Sequence, residues 1–146
     1  KEQGVRLHAI GRLKDLPADC RKALNSAIEQ TASNTEIDVI LALSYGSREE
    51  IVDAARQLAR EAASGVLDPE DIDNELMSQR LYTSNIPDPD LLIRTSGERR
   101  ISNFLLWQIS YAEIVINDKF WPDFRESDLN EAIAEYAQRN RRFGSI

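Results

Sequence analysis

Apolar and polar positions along the chain switch repeatedly between a period of two and a period near 3.6. Val5, Leu7 and Ala9 alternate with Arg6 and His8, which predicts a strand ending near Gly11. Pro17 then opens a helix whose Cys20, Leu24, Ala27, Ile28 and Thr31 share one face, and Ser33-Asn34 stops it. Residues 37–43 form a nearly continuous apolar run, the pattern of a strand buried on both faces. Ser44-Tyr45-Gly46-Ser47 reads as a turn. A second helix follows, with Ile51, Val52, Ala55, Leu58, Ala59 and Ala62 on its buried face and Gly65 at its C-terminus. Asp68-Pro69 and Asp73 are N-cap signals for a short helical pair through Leu81.

Two prolines hold Asn85-Ile86-Pro87-Asp88-Pro89 extended. This loop leads into Leu91-Leu92-Ile93, a short buried strand, and a polar loop over residues 95–103. The pattern then predicts a short helix over 104–109, a last strand over 114–116, and a turn at Trp121-Pro122-Asp123-Phe124. A final helix runs from about Ser127 to Arg142, with Leu129, Ile133, Tyr136 and Ala137 inward. The order β-α-β-α-α-β-α-β-α predicts an α/β fold with a mainly parallel sheet flanked by helices. Such sheets bind ligands beyond the C-terminal ends of their strands. The Tyr45 turn and the loop after Arg94 both lie at such ends.

Composition narrows the class. A chain of 146 residues fits one domain, and 42% hydrophobic residues are too many for a disordered chain. No apolar run reaches the roughly 18 residues that a membrane span needs. The one cysteine, Cys20, excludes an internal disulfide framework and a Cys-based zinc site; it fits a reducing compartment, and a cytoplasmic location is expected. The net charge of −7 argues against a nucleic-acid partner, whose binding relies on phosphate neutralisation. The charge is uneven, however. Residues 94–100 carry +2 and residues 139–142 carry +3, so the rest of the chain carries −12.

The loop after residue 93 carries the most chemistry. A buried strand delivers Arg94 to the sheet edge, Gly97 permits a tight loop, and Arg100 and Ser102 return a second guanidinium and a hydroxyl. Asn103 at the start of a helix would add that helix's N-terminus to the same space. Two guanidinium forks, a hydroxyl and a helix N-terminus describe a phosphate or diphosphate cradle. A surface loop with capping Ser and Asn and solvated Arg has the same composition. His8, the one histidine, reads as a strand residue facing polar groups, since no nucleophile pattern accompanies it.

Residues 90–108 (DLLIRTSGERRISNFLLWQ), followed by Tyr111-Ala112-Glu113 and Trp121-Pro122-Asp123-Phe124, resemble the C-terminal signature of the cis-prenyltransferase family. Ser44-Tyr45-Gly46-Ser47-Arg48 is similar to the family's Asn-Tyr-Gly-Gly-Arg. Residues 85–90 match the approach to the signature, and Arg141-Arg142-Phe143-Gly144 resembles its closing Arg-x-Gly motif. The closest likeness is to the bacterial branch, which makes long products such as undecaprenyl diphosphate. The resemblance implies sequential cis condensation of isopentenyl diphosphate onto an allylic diphosphate, usually farnesyl diphosphate, with Mg²⁺ required. It implies that Arg94, Arg100 and Ser102 hold isopentenyl diphosphate and that Glu113 is a Mg²⁺ ligand; read without the family, Glu113 is an ordinary strand-edge carboxylate. It further implies that Arg142 and Gly144 reach the neighbouring active site of a homodimer, whereas on spacing alone they read as a helix C-cap. An apolar tunnel for the product would draw on Val5, Ile37, Val39 and Leu41, which equally read as sheet core. The lipid product implies peripheral membrane contact.

The sequence departs from the family at Ser44, which replaces Asn, and at Ser47, which replaces Gly. Ser47 implies either that the turn needs no positive φ there or that it caps the helix holding Ile51. The family's N-terminal motif, Asp-Gly-Asn-Gly-Arg-Trp-Ala, which supplies the catalytic Asp and the allylic site, is not found. The chain is therefore expected to be the C-terminal part of a single catalytic domain, a cis-prenyltransferase fold lacking its N-terminal strands and inactive alone. The reading from another class is a non-catalytic accessory subunit of a heteromeric cis-prenyltransferase; a third is a general phosphate-binding module.

Overall fold

Alternation places strand β1 at Val5–Ile10, and the apolar run forms β2 at Ile37–Ala42. They pair in parallel, Val5 opposite Ile37 and Ile10 opposite Ala42. The computed structural model describes residues 4–139, which form two compact units divided between Ile86 and Pro87. Parallel strands flanked by helices make the fold mixed α/β.

In the first unit, α1 (Ala18–Thr31) joins β1 to β2 and packs on β1. The Thr31 hydroxyl accepts from the Leu7 N–H at 3.1 Å, and the Asn34 amide donates to the Val5 carbonyl at 2.6 Å. Helix α2 (Ser47–Ala63) follows β2 after one turn. Gly65, at φ +75°, stands just past its end, and the Val66 N–H closes back onto the Glu61 carbonyl. Both acidic caps form as the sequence predicts. Asp68 accepts from the Glu70 N–H at 3.0 Å over a short 3₁₀ turn, and Asp73 accepts from the Leu76 N–H at 2.8 Å to start α3 (Asn74–Ser78). Ile10, Leu24, Ala54, Leu58 and Leu81 form the buried core.

Two burial expectations fail here. Strand β2 is not buried on both faces: Ile37, Val39 and Leu41 are exposed, Ile37 at 56%. The register puts them on the same face as Val5, Leu7 and Ala9, and no element of this unit covers that face enough to bury them. Helix α2 buries Ser47, Glu50, Ala54 and Leu58, while Val52, Ala55 and Ala59 face out. Its inward stripe is rotated because Glu50 finds hydrogen-bond partners there, described below.

In the second unit, β3 (Leu91–Arg94) and β4 (Glu113–Ile116) pair in parallel, Leu91 opposite Glu113 and Arg94 opposite Ile116. Helix α4 (Glu126–Gln138) packs on β4. Ile109, Val115 and Ala132 are buried. Residues 104–109 do not form the expected helix. Ser102, Asn103 and Leu105 all adopt left-handed φ (56°, 62° and 47°), and these values break a right-handed helix at its start. Only an isolated turn remains, with the Ile109 N–H on the Leu105 carbonyl at 3.0 Å. Helix α4 also ends earlier than predicted, since Arg139 is extended at ψ 131°. It turns Asp128 and Ala132 inward rather than Leu129 and Ile133, which are exposed.

Candidate functional site

Arg94 ends β3, so the strand itself aims it at the sheet's C-terminal edge. Its carbonyl accepts from the Asn117 N–H at 2.8 Å, which fixes the backbone there. The Arg94 Nε is buried and, among the described residues, has no hydrogen-bond partner. A buried guanidinium donor of this kind is costly unless something accepts from it.

The loop that follows is held from the far side. The Ser96 N–H donates to the Lys119 carbonyl at 2.7 Å, and the Gly97 N–H to the Asn117 carbonyl at 3.0 Å. Gly97 sits at φ +63°, where a Cβ would come 3.0 Å from Asp118 Oδ1, so the tight loop does depend on glycine. Arg100 lies farther along, with Nη1 2.5 Å from Glu98 Oε2 and a side chain 70% exposed. Ser102 is exposed on the left-handed stretch. The end of β3 and the loop after it thus present the Arg94 and Arg100 guanidinium groups and the Ser102 hydroxyl. The helix N-terminus does not join them, because that helix is absent, and Asn103 is itself left-handed rather than a cap.

Glu113 opens β4, with its N–H on the Asp90 carbonyl at 2.9 Å. Its Oε2 accepts from Arg139 Nη1 at 2.7 Å. Arg139 reaches on to Glu135 through Nη2, and the two carboxylates hold its proton more firmly than usual, Glu113 most of all. No group of three potential metal-ligating side chains occurs among the described residues. Glu113 offers a single carboxylate, held by Arg139 on one oxygen, and a lone carboxylate of this kind would suit Mg²⁺, which keeps much of its hydration. Arg142 and Gly144 lie outside the described residues.

Beyond β4, the buried Asp128 anchors the start of α4. Lys119 Nζ lies 2.7 Å from its Oδ1, and the Arg125 N–H donates to its Oδ2 at 2.8 Å. The lysine first, then the backbone donor, lowers its pKa below the ordinary aspartate value.

The turn after β2 in the first unit is built differently from the sequence reading. The left-handed residue is Ser44, at φ 46°, where the family has Asn, a residue that tolerates this region. Ser47 has no positive φ. Gly46 takes the cap position, and Ser47 is buried as the first helical residue. Gly11, at φ +109°, lets the chain after β1 pass close to this turn, for a Cβ there would sit 2.1 Å from the Leu43 carbonyl oxygen.

A polar network that the sequence did not reveal lies behind this turn. Tyr45 donates its hydroxyl to Glu50 Oε2 at 2.5 Å, and the Tyr82 N–H donates to Glu50 Oε1 at 2.8 Å. The Tyr82 hydroxyl donates to Asp53 Oδ2 at 2.6 Å, and Arg12 grips Asp53 with both arms of its fork at 3.0–3.1 Å. Tyr82, then Arg12, keep the Asp53 carboxyl below its ordinary range; burial, then Asp53, push the Tyr82 phenol up. Tyr45 and Tyr82 meet edge to face with centroids 6.4 Å apart. These partners lie up to 41 residues apart, and no local spacing announces them. His8 behaves as read: its Nε2 lies 2.9 Å from Asp38 Oδ1, beside the Arg6–Asp38 pair, and Arg6 chiefly lowers the Asp38 value.

A family model described as "Putative undecaprenyl diphosphate synthase" matches residues 1–144. An isoprenyl transferase from Heliobacterium mobile is 51% identical over 144 residues, 99% of this chain and 55% of its own length. One from Geobacillus kaustophilus is 48% identical over 144 residues, 99% of this chain and 56% of its own length. The chain thus spans about half the length of the curated relatives it matches. Among solved structures, lavandulyl diphosphate synthase from Lavandula x intermedia, in complex with dimethylallyl diphosphate, superposes with a TM-score of 0.95 at 42% identity; 99% of this chain and 62% of that one are covered. A probable undecaprenyl diphosphate synthase from Campylobacter jejuni gives 0.84 at 35% identity, covering 99% of this chain and 65% of that one.

Proposed function

Since this chain belongs to the undecaprenyl diphosphate synthase family of prenyl-transferring enzymes, we propose that the protein carrying it condenses isopentenyl diphosphate onto an allylic diphosphate such as farnesyl diphosphate. Repeated cis additions build a long polyprenyl diphosphate, undecaprenyl diphosphate being the reference product. The single observation that carries the reading is the buried Arg94 Nε, a donor with no acceptor among the described residues, at the strand end where such folds bind ligands.

In this reading, Arg94, Arg100 and Ser102 hold the diphosphate of isopentenyl diphosphate. Guanidinium forks suit its paired oxygens, and a charge-assisted contact is worth about 1.5–3 kcal/mol. Arg100 exchanges its exposed Glu98 partner for the substrate, which costs little because a solvated pair contributes at most about 1 kcal/mol. Anchoring the diphosphate orients the alkene end toward the allylic carbon. There the allylic C–O bond to diphosphate breaks and a new C–C bond forms to the terminal alkene carbon; the methylene next to the resulting cationic carbon then gives up a proton, to the released diphosphate or water, to restore a double bond. Mg²⁺ bound through Glu113 would supply charge neutralisation of the departing diphosphate.

The apolar face of β1 and β2, with half-buried Val5 and exposed Ile37, Val39 and Leu41, supports a wall for a growing hydrocarbon chain. A homodimer, with Arg142 and Gly144 of one copy serving the other's diphosphate, is part of the same reading. Phe120 and Trp121 (66% and 71% exposed) are apolar surface of the kind that subunit contacts cover. No helix among the described residues is long and apolar enough to cross a membrane. In this reading the synthase is cytoplasmic and meets a membrane through its lipid product.

The test is incorporation of labelled isopentenyl diphosphate by the protein at its full natural length, with farnesyl diphosphate and Mg²⁺. Butanol-extractable polyprenyl product is expected. Absence of product until a second, different subunit is added would turn the reading to the accessory role.

A further inference from the structure

Arg139 caps the C-terminus of α4, and its N–H is fixed on the Tyr136 carbonyl at 3.1 Å. Its Nη1 donates to Glu113 at the start of β4, 26 residues away, while Nη2 donates to Glu135 one turn back on its own helix. Both Arg139 and Glu113 are only about 30% exposed, so the pair spans two packed elements rather than waving in solvent. One guanidinium is thus shared between two carboxylates. Only Oε2 of Glu113 is engaged by it; no other described side chain takes Oε1.

This arrangement has an electrostatic consequence. A bare divalent cation approaching Glu113 meets a fixed positive charge on the far oxygen of the same carboxylate and is repelled. A cation already carrying a prenyl diphosphate has a net negative charge, and the same guanidinium attracts it. We propose that Arg139 is a positioning residue that holds the Glu113 carboxylate and makes cation capture there conditional on diphosphate. This inference rests on the reading of Glu113 as a metal ligand. Glu135 sets the strength of the effect, because it neutralises part of the Arg139 charge.

The experiment uses Mn²⁺ as the probe, followed by loss of its free electron paramagnetic resonance signal, with the full-length protein. Titrations are run without substrate and again with isopentenyl diphosphate, corrected for the Mn²⁺–diphosphate complex in solution. Arg139→Gln is expected to bind bare Mn²⁺ about tenfold more tightly than the parent, and the enhancement by diphosphate should shrink. Arg139→Lys, which keeps the charge, should stay near the parent. Glu135→Gln should bind bare Mn²⁺ more weakly, because Arg139 then bears on Glu113 alone. A merely structural Arg139 would instead weaken binding in Arg139→Gln. Equal or weaker Mn²⁺ binding by Arg139→Gln, with binding abolished in Glu113→Gln, overturns the proposal and leaves Glu113 as a ligand. Unchanged binding in Glu113→Gln overturns both.

Discussion

The Gly97 N–H donates to the Asn117 carbonyl at 3.0 Å, tying the loop after β3 to the turn after β4. The loop that carries Arg100 and Ser102 is therefore set by backbone contacts as well as by its own side chains. Gly97→Ala forces a Cβ toward Asp118 Oδ1 at φ +63°, a strain of about 1–2 kcal/mol. The expected outcome is a several-fold rise in KM for isopentenyl diphosphate with a modest drop in Tm. Steady-state kinetics with thermal denaturation checks it, and an unchanged KM would separate this loop from the substrate.

Glu50 is fully buried yet accepts from two donors, the Tyr45 hydroxyl and the Tyr82 N–H. Glu50→Ala leaves both without that acceptor. Each orphaned group costs about 1–3 kcal/mol, so a combined loss of about 2–5 kcal/mol is expected in urea unfolding. Glu50→Gln keeps an acceptor oxygen and should lose less. Equal losses for the two variants would place the cost in the charge rather than in the hydrogen bonds.

Asp128 gives the fold a defined acid sensitivity. Lys119 and the Arg125 N–H hold its pKa below the ordinary value. Its stabilising contribution is therefore complete above the ordinary aspartate value of about 3.9, and it is lost as the pH falls through the lowered value. Asp128→Asn should lower Tm at pH 7 and flatten the decline of Tm below about pH 4. Parallel Tm curves for parent and variant across that range would exclude this source.

Val39 lies on the exposed apolar face opposite Leu7. If that face walls the product channel, Val39→Trp should shift the product distribution to shorter chains at near-parental turnover of the first addition. Chromatography of labelled products reads this directly. Full-length product from the variant would move the channel elsewhere.

Much of this architecture is written in local patterns. All four strands and the cap aspartates at 68 and 73 follow from short-range periodicity and side-chain chemistry, and Arg94 reaches its strand end for the same reason. What local patterns miss is pairing across distance. Glu50 is inward on α2 because Tyr82, 32 residues on, places an N–H there, and this rotates the buried stripe away from Val52. Asp128 turns inward on α4 because Lys119 and the Arg125 backbone meet it, and Leu129 and Ile133 turn out as a result. The apolar run of β2 suggests burial on two faces, but apolar residues state only what tolerates burial and not whether a covering element is present. Residues 104–109 have helical composition, yet Ser102, Asn103 and Leu105 spend their backbone on left-handed turns; of these only Asn103 carries a sequence hint. The Arg139–Glu113 contact has no signature in spacing at all.

The central claim is that Arg94 holds the diphosphate of isopentenyl diphosphate rather than that of the allylic substrate. Measuring both KM values for Arg94→Ala in the full-length protein tests it most directly. Loss of a charge-assisted contact worth about 1.5–3 kcal/mol predicts a rise of roughly 10- to 150-fold in KM for isopentenyl diphosphate, with KM for farnesyl diphosphate nearly unchanged. An equal rise for both substrates, or none for isopentenyl diphosphate, would contradict it.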